Sequence, residues 1–203
     1  MRAVLASHNP GKLREMQRWL EPLGIDLVLE SELGMDIEVE ETGETFEENS
    51  LLKAATVARR TGLPAIADDS GLCVEALDGA PGVHTARYGG PGLTEKDRYM
   101  LLLMNMRGQL TRAAKFVSVV TMVFPNADVV SARGELKGAI AYAPIGDGGF
   151  GYDPVFLVTH MRKTLAQMDL HERELCSHRA AAIRNLTIKL EQYWKEKGRT
   201  EWN

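Results

Sequence analysis

The eight residues Ala65-Ile66-Ala67-Asp68-Asp69-Ser70-Gly71-Leu72 constrain this chain more than any other stretch. A short apolar run, too short for a helix, reads as a buried strand that breaks at two adjacent carboxylates and a Ser-Gly turn. Asp68 and Asp69 are therefore expected at the C-terminal end of the strand, where open α/β sheets bind their ligands. Side chains alternate faces along a strand, so the pair cannot serve one ligand unless the strand has ended. One aspartate is then available for chemistry while the other holds the turn. Turn chemistry alone also suits the same residues.

Around this segment, strand-like and helix-like stretches alternate with no internal repeat or obvious linker. Residues 3–6 read as a strand, and Asn9 and Pro10 then cap and open a helix carrying Leu13, Met16 and Leu20 at helical spacing, stopped by Pro22 and Gly24. Residues 25–29 suggest a second strand, and Asp36 to Glu41 alternates like a third. Thr45 and Glu48 form a capping-box pattern for a helix ending at Gly62-Leu63-Pro64. Leu72 to Leu77 reads as another strand and 95–107 as a helix. The stretches 113–124 and 129–141 have the shape of a hairpin. A strand at 155–158 and a helix at about 178–196 close the pattern. Alternation together with a hairpin favours a mixed sheet over a purely parallel one.

With 203 residues, 44% of them hydrophobic, the chain can bury the core of one domain or two closely packed lobes. The net charge of −4 gives no global positive field for long nucleic acid, so a phosphate ligand needs a local cluster. Two cysteines, Cys73 and Cys176, are too few for a disulfide framework and suggest a reducing compartment. No signal-peptide pattern opens the sequence, and the apolar stretch Phe116 to Phe124 is too short to span a membrane. A soluble, cytoplasmic protein is expected.

Four segments hold polar residues that structure alone explains poorly. Ser7-His8-Asn9-Pro10-Gly11-Lys12 is a strand-to-helix turn whose backbone N–H groups, hydroxyl, amide and ammonium suit an anion. It is not a Walker loop, because Ala6 replaces the first glycine and Leu13 the hydroxyl residue. The acidic stretch Glu38 to Glu44 offers hard oxygen donors of the kind Mg²⁺ takes beside phosphates, with Lys53 aimed back from the following helix. Gly146 to Pro154 combines four glycines with Phe150, Tyr152 and Asp153, a loop that suits a stacked base or packs its own aromatics into the core. Ser177-His178-Arg179 puts cationic residues in a first helical turn, against the macrodipole, which suggests placement for a ligand.

Taken together, these segments resemble the inosine triphosphate pyrophosphatase family. Ser7, Asn9 and Lys12 meet its opening Ser/Thr-x-Asn-x-x-Lys pattern, and residues 40–49 with Lys53 meet its acidic run. Ala67 to Leu72, Gly79 to Gly82, Ala86-Arg87-Tyr88, Gly148 to Pro154 and Ser177-His178-Arg179 follow in the family's order, so the similarity covers roughly residues 3–190. It departs at Arg173, where a lysine is usual, at His8, commonly glycine, and at His84, usually tyrosine.

The resemblance implies an α/β fold over residues 1–203: one domain, with a long, mixed, twisted sheet flanked by helices and two lobes around a central cleft. It implies a homodimer that hydrolyses non-standard purine nucleoside triphosphates to monophosphate and pyrophosphate with Mg²⁺. By motif, Ser7, His8, Asn9, Pro10, Gly11, Lys12 and Lys53 would grip the triphosphate. Glu40 and Asp69 would hold the metal, and Asp69 would also accept the proton of the attacking water. Ser70 would touch substrate, while Phe150, Gly151, Tyr152, Asp153, Arg173, His178 and Arg179 would form the base pocket. Inosine and xanthosine carry a 6-oxo group that His178 or Arg179 can satisfy. Adenine's amino group would leave such donors unpaired, at roughly 1–3 kcal/mol each. Two rivals, a pyrimidine-nucleotide pyrophosphatase and a non-catalytic nucleotide sensor, fit less well: the first lacks a use for the Phe-Gly-Tyr-Asp and Ser-His-Arg motifs, the second for a hydrolytic metal.

Overall fold

A computed structural model describes residues 1–198. Its strands are β1 (Arg2–Leu5), β2 (Asp26–Leu29), β3 (Ala65–Val74), β4 (Ala113–Val123), β5 (Val129–Ile140), β6 (Phe156–Val158) and β7 (Lys163–Thr164). Its helices are α1 (Pro10–Leu20), α2 (Phe46–Thr61), α3 (Glu95–Asn105), α4 (Leu170–Leu175) and α5 (His178–Glu196). The strands form one sheet in the order β2-β1-β3-β4-β5-β6-β7. β1 runs parallel to β2 and β3, whereas β6 runs antiparallel to β5 and β7, so the sheet is mixed, as expected. Among the described residues no helix is long and apolar enough to cross a membrane.

Local chemistry explains the helix boundaries that matter for the site. Asn9 Oδ1 accepts from the N–H groups of Gly11 and Lys12 at 2.8 and 3.3 Å, and Pro10, needing no partner for its nitrogen, opens α1. Thr45 and Glu48 cap α2 reciprocally: Thr45 Oγ1 accepts from Glu48 N–H, and Glu48 Oε2 accepts from Thr45 N–H. Gly62, at φ 67°, ends that helix in the left-handed conformation.

Three sequence expectations are corrected. β3 does not stop at the aspartates; it continues to Val74, absorbing the separate strand expected at 72–77. The carboxylates need no turn because each lies against a cation, and Ser70-Gly71 stays in the strand. Asp36 to Glu41 is not a strand either. Its alternation reflects Ile37 entering the core and Val39 following it partway, without a neighbouring strand to pair with. The short helix α4 and the two-residue β7 went unread.

The chain divides into two compact units. One comprises Met1–Asp69, Ser118–Gly134 and the chain from Arg179 onward; the other comprises Ser70–Val117 and Glu135–His178. In the first, the amphipathic faces of α1 and α5 bury Met16, Leu20, Ile183, Leu186 and Leu190 with Leu5, Ile66 and Met122 of the strands. A second apolar cluster there joins Val57 of α2 to Val4, Val28 and Ala67. In the other unit Leu72, Leu102, Phe116, Ile140, Val155 and Phe156 form the core.

Candidate active site

In the first unit the adjacent aspartates of β3 serve different partners, as alternation along a strand requires. Asp68 is buried and accepts from Lys12 Nζ at 2.8 Å through Oδ1 and from Arg179 Nε at 3.1 Å through Oδ2. Burial raises the Asp68 carboxyl, but Lys12 and Arg179 outweigh it and hold the group down at about 2. Arg179 Nη1 also reaches Glu15 Oε2 at 3.2 Å. Burial lowers the Arg179 guanidinium while Asp68 and Glu15 raise it, and the net direction is upward. Asp68 and Glu15 thus resolve the conflict of a cation in the first turn of α5.

Asp69 lies near a different cation. Lys53 Nζ stands 3.8 Å from Asp69 Oδ1 and donates to Glu41 Oε1 at 2.6 Å. The reason Glu41 arrives there is local. Asn49, four residues before Lys53 and on the same face of α2, is fully buried; its Oδ1 accepts from Gly43 N–H at 2.8 Å. A Cβ on Gly43 would sit 2.7 Å from that oxygen, so glycine lets the acidic loop lie flat along α2. Glu40 is exposed and makes no hydrogen bond or ion pair among the described residues, so the acidic residue brought toward Asp69 is Glu41.

The loop 7–12 is more self-contained than its sequence suggests. Ser7 Oγ accepts from Asn9 N–H at 3.2 Å, and the N–H groups of Gly11 and Lys12 are spent on Asn9. The charged anion-gathering group of the loop is the Lys12 ammonium, already oriented by Asp68. His8 points elsewhere, toward Glu30 and Asp36.

In the second unit, the glycine-rich loop folds on itself. Asp153 Oδ2 accepts from Phe150 N–H at 3.1 Å, and Gly151 N–H donates to Glu95 Oε2 at 2.9 Å. Gly149, at φ 77°, would place a Cβ 2.0 Å from Asp153 Oδ2, so the glycine makes room for a carboxylate of the chain itself. Burial pushes the Asp153 carboxyl up to about 6; the Phe150 N–H and the Arg173 charge pull it down, and Glu95 pushes it further up. The two rings differ sharply. Phe150 is 72% exposed, whereas Tyr152 is 5% exposed and packs in the core, its hydroxyl donating to Thr85 O at 3.0 Å. Tyr152 is therefore a core aromatic, and Phe150 is the ring open to a ligand. His178 stacks on Phe116, with ring centroids 5.0 Å apart and planes at 14°. Arg173, on α4, is half-buried with its Nε lacking a hydrogen bond. Ser70 follows Asp69 in β3 and is half-buried.

The structure thus joins Lys12, Asp68 and Arg179 in one cluster, Lys53, Asp69 and Glu41 in a second, and Asp153, Arg173 and the Phe150 backbone in a third. Glu15 was not singled out from the sequence, whereas Glu41 belongs to the acidic stretch Glu38 to Glu44 read there as hard oxygen donors. Glu15 stands three residues after Lys12 on α1, the spacing that puts two side chains on one face, and that was the available signal. Among the described residues no group of three His, Cys, Asp or Glu side chains converges as a metal site.

The Ham1 family model matches residues 3–189. A dITP/XTP pyrophosphatase of Thermus thermophilus is 49% identical over 92% of this chain and 90% of its own. A dITP/XTP pyrophosphatase of an Exiguobacterium species is 41% identical over 96% of this chain and all of its own. The solved structure of a HAM1 protein from Coxiella burnetii superposes with a TM-score of 0.89 at 39% identity, covering 95% of this chain and 99% of that one.

Proposed function

The chain belongs to the Ham1 family, and on that footing we propose that it is a dITP/XTP pyrophosphatase, hydrolysing ITP, dITP and XTP to monophosphate and pyrophosphate. Such an enzyme removes deaminated purines from the nucleotide pool. The observation that carries the chemistry is the split role of the aspartate pair: Asp68 orients Lys12, while Asp69 stands beside Lys53 and Glu41.

In this reading Lys12 and Lys53 neutralise the triphosphate, each held in place by a carboxylate before substrate arrives. Ser7, His8, Asn9, Pro10 and Gly11 shape the loop that presents Lys12, and Ser70 touches the substrate beside Asp69. Asp69 orients the attacking water and takes its proton as the bond to the α-phosphorus forms. Phe150 stacks on the purine, Gly151 and Tyr152 fix the loop that carries it, and Asp153, Arg173 and His178 supply polar contacts to the base edge; Arg179 is assigned to base recognition on the family resemblance.

The residues fit a magnesium ion. Glu41 and Asp69 bring carboxylate oxygens to one ammonium, the kind of hard anionic donor pair a divalent cation uses beside phosphates, and these two residues would hold the ion. Held there, magnesium would supply charge neutralisation on the phosphates. Of the acidic loop, Glu41 is favoured over Glu40 as Asp69's partner. The working form in this reading is a cytoplasmic homodimer, as the family resemblance implies.

The test is a pyrophosphate-release assay across ITP, dITP, XTP, ATP, GTP and pyrimidine triphosphates, with and without Mg²⁺, with chromatography of the products during partial turnover. ITP, dITP and XTP should be turned over preferentially, giving monophosphate and pyrophosphate in one step. Accumulation of IDP with orthophosphate would refute attack at the α-phosphorus.

A further inference from the structure

Glu30 takes no part in the roles above, yet at 1% exposure it is more buried than either aspartate of β3. Its position follows from the sheet. β2 pairs with β1 in parallel with Leu29 opposite Leu5, so the first residue after β2 stands level with the chain leaving β1 for the loop 7–12. Glu30 Oε1 lies 3.5 Å from His8 Nε2, and Glu30 Oε2 is buried with no hydrogen-bond partner. Asp36 Oδ1 approaches the same His8 nitrogen at 3.6 Å from the solvent side. The Glu30 carbonyl accepts from Met35 N–H at 3.1 Å. His8 and Asp36 are the charged groups facing Glu30 among the described residues. Burial raises the Glu30 carboxyl, His8 and the Ile37 N–H lower it, and Asp36 raises it.

A desolvated carboxylate is costly unless a donor or cation meets it. Here the single side chain that can do so is carried by the loop that presents Lys12. Of the neighbours of His8 on that loop, Ser7 Oγ accepts from Asn9 N–H and Asn9 caps α1, so fixing the imidazole fixes the loop from its other side. We propose that Glu30 is a positioning residue: through His8, and assisted by Asp36, it latches the loop 7–12 in the conformation that receives the substrate's polyphosphate. This rests on the assignment of that loop to the triphosphate.

Two measurements test it, one independent of any nucleotide. In the free protein, the Glu30 carboxyl followed by ¹³C NMR should titrate higher in His8→Gly than in the wild type, because a favourable partner has been removed. In kinetics with ITP, Glu30→Gln should raise KM roughly two- to fivefold with kcat retained. In a His8→Gly background the same substitution should leave KM nearly unchanged, since the latch is already gone. Should Glu30→Gln fail to fold, the solvent-facing Asp36→Asn carries the same comparison: a smaller KM rise in the wild type and none in His8→Gly. An unmoved Glu30 titration overturns the pair. A moved titration with unchanged KM, or KM effects of equal size in both backgrounds, overturns the latch. Absence of hydrolysis of any purine triphosphate by the wild type would instead sink the assigned function, which the titration does not depend on.

Discussion

Asp68 and Asp69 are adjacent and chemically identical, yet their surroundings assign them different work. Asp68 is locked between Lys12 and Arg179, and replacing it with asparagine removes the charge that makes those two cations tolerable. Asp68→Asn should therefore destabilise the fold by about 3–5 kcal/mol, the cost of breaking a buried ion pair, read from a urea midpoint. Asp69→Asn should keep the midpoint close to the wild type while turnover of ITP falls about 10²–10⁴-fold, as loss of a general base predicts. A variant of Asp69 with undiminished kcat would remove it from the chemistry. The metal assignment divides along the same lines. Glu41→Gln should raise the Mg²⁺ concentration for half-maximal rate more than Glu40→Gln does, because Glu41 shares a cation with Asp69. The reverse ranking in a metal titration would return the role to Glu40.

At the scale of elements, the caps and periods of the helices were legible, because Asn9-Pro10 and Thr45-x-x-Glu48 encode their boundaries within four residues. The length of β3 was not. Two carboxylates in a row look like a strand end until Lys12, Lys53 and Arg179, distant in sequence, arrive beside them. The same limit hid which ring of the loop 146–154 is buried: Tyr152 and Phe150 differ through the partner Thr85 O, nearly seventy residues away in sequence. The glycines of that loop were legible as close approaches but not as approaches to the chain itself. Gly149→Ala tests this. A left-handed alanine costs about 1–2 kcal/mol from backbone alone, and the new Cβ displaces Asp153 as well. The variant should lose at least that much stability in urea and show a raised KM for ITP. A fully wild-type KM would separate Asp153 from base recognition.

For the molecule as a whole, three strands contribute residues to both compact units, since β3, β4 and β5 each cross a boundary between them. The chain is therefore expected to unfold in one cooperative transition, with coincident midpoints by tryptophan fluorescence and far-ultraviolet circular dichroism. On that transition two of the perturbed carboxylates, one in each unit, act in opposite directions. Asp68 titrates at about 2, below its unfolded value, so its stabilisation is fully present above pH 4 and is lost as pH falls toward 2. Asp153 titrates at about 6, above its unfolded value. The folded state then binds more protons than the unfolded chain between about pH 4 and 6, and stability declines as pH rises through that window. Above it the decline is complete, at a cost on the order of 3 kcal/mol for a shift of about two pH units. Asp153→Asn should make the decline between pH 4 and 6 shallower while leaving the acid limb intact, since Glu30 is also raised by burial. The measurement is urea unfolding at half-unit intervals from pH 3 to 8. If the slope between 4 and 6 persists undiminished in Asp153→Asn, burial of that carboxylate is not its source, and the packing of Gly149 against it loses its energetic meaning.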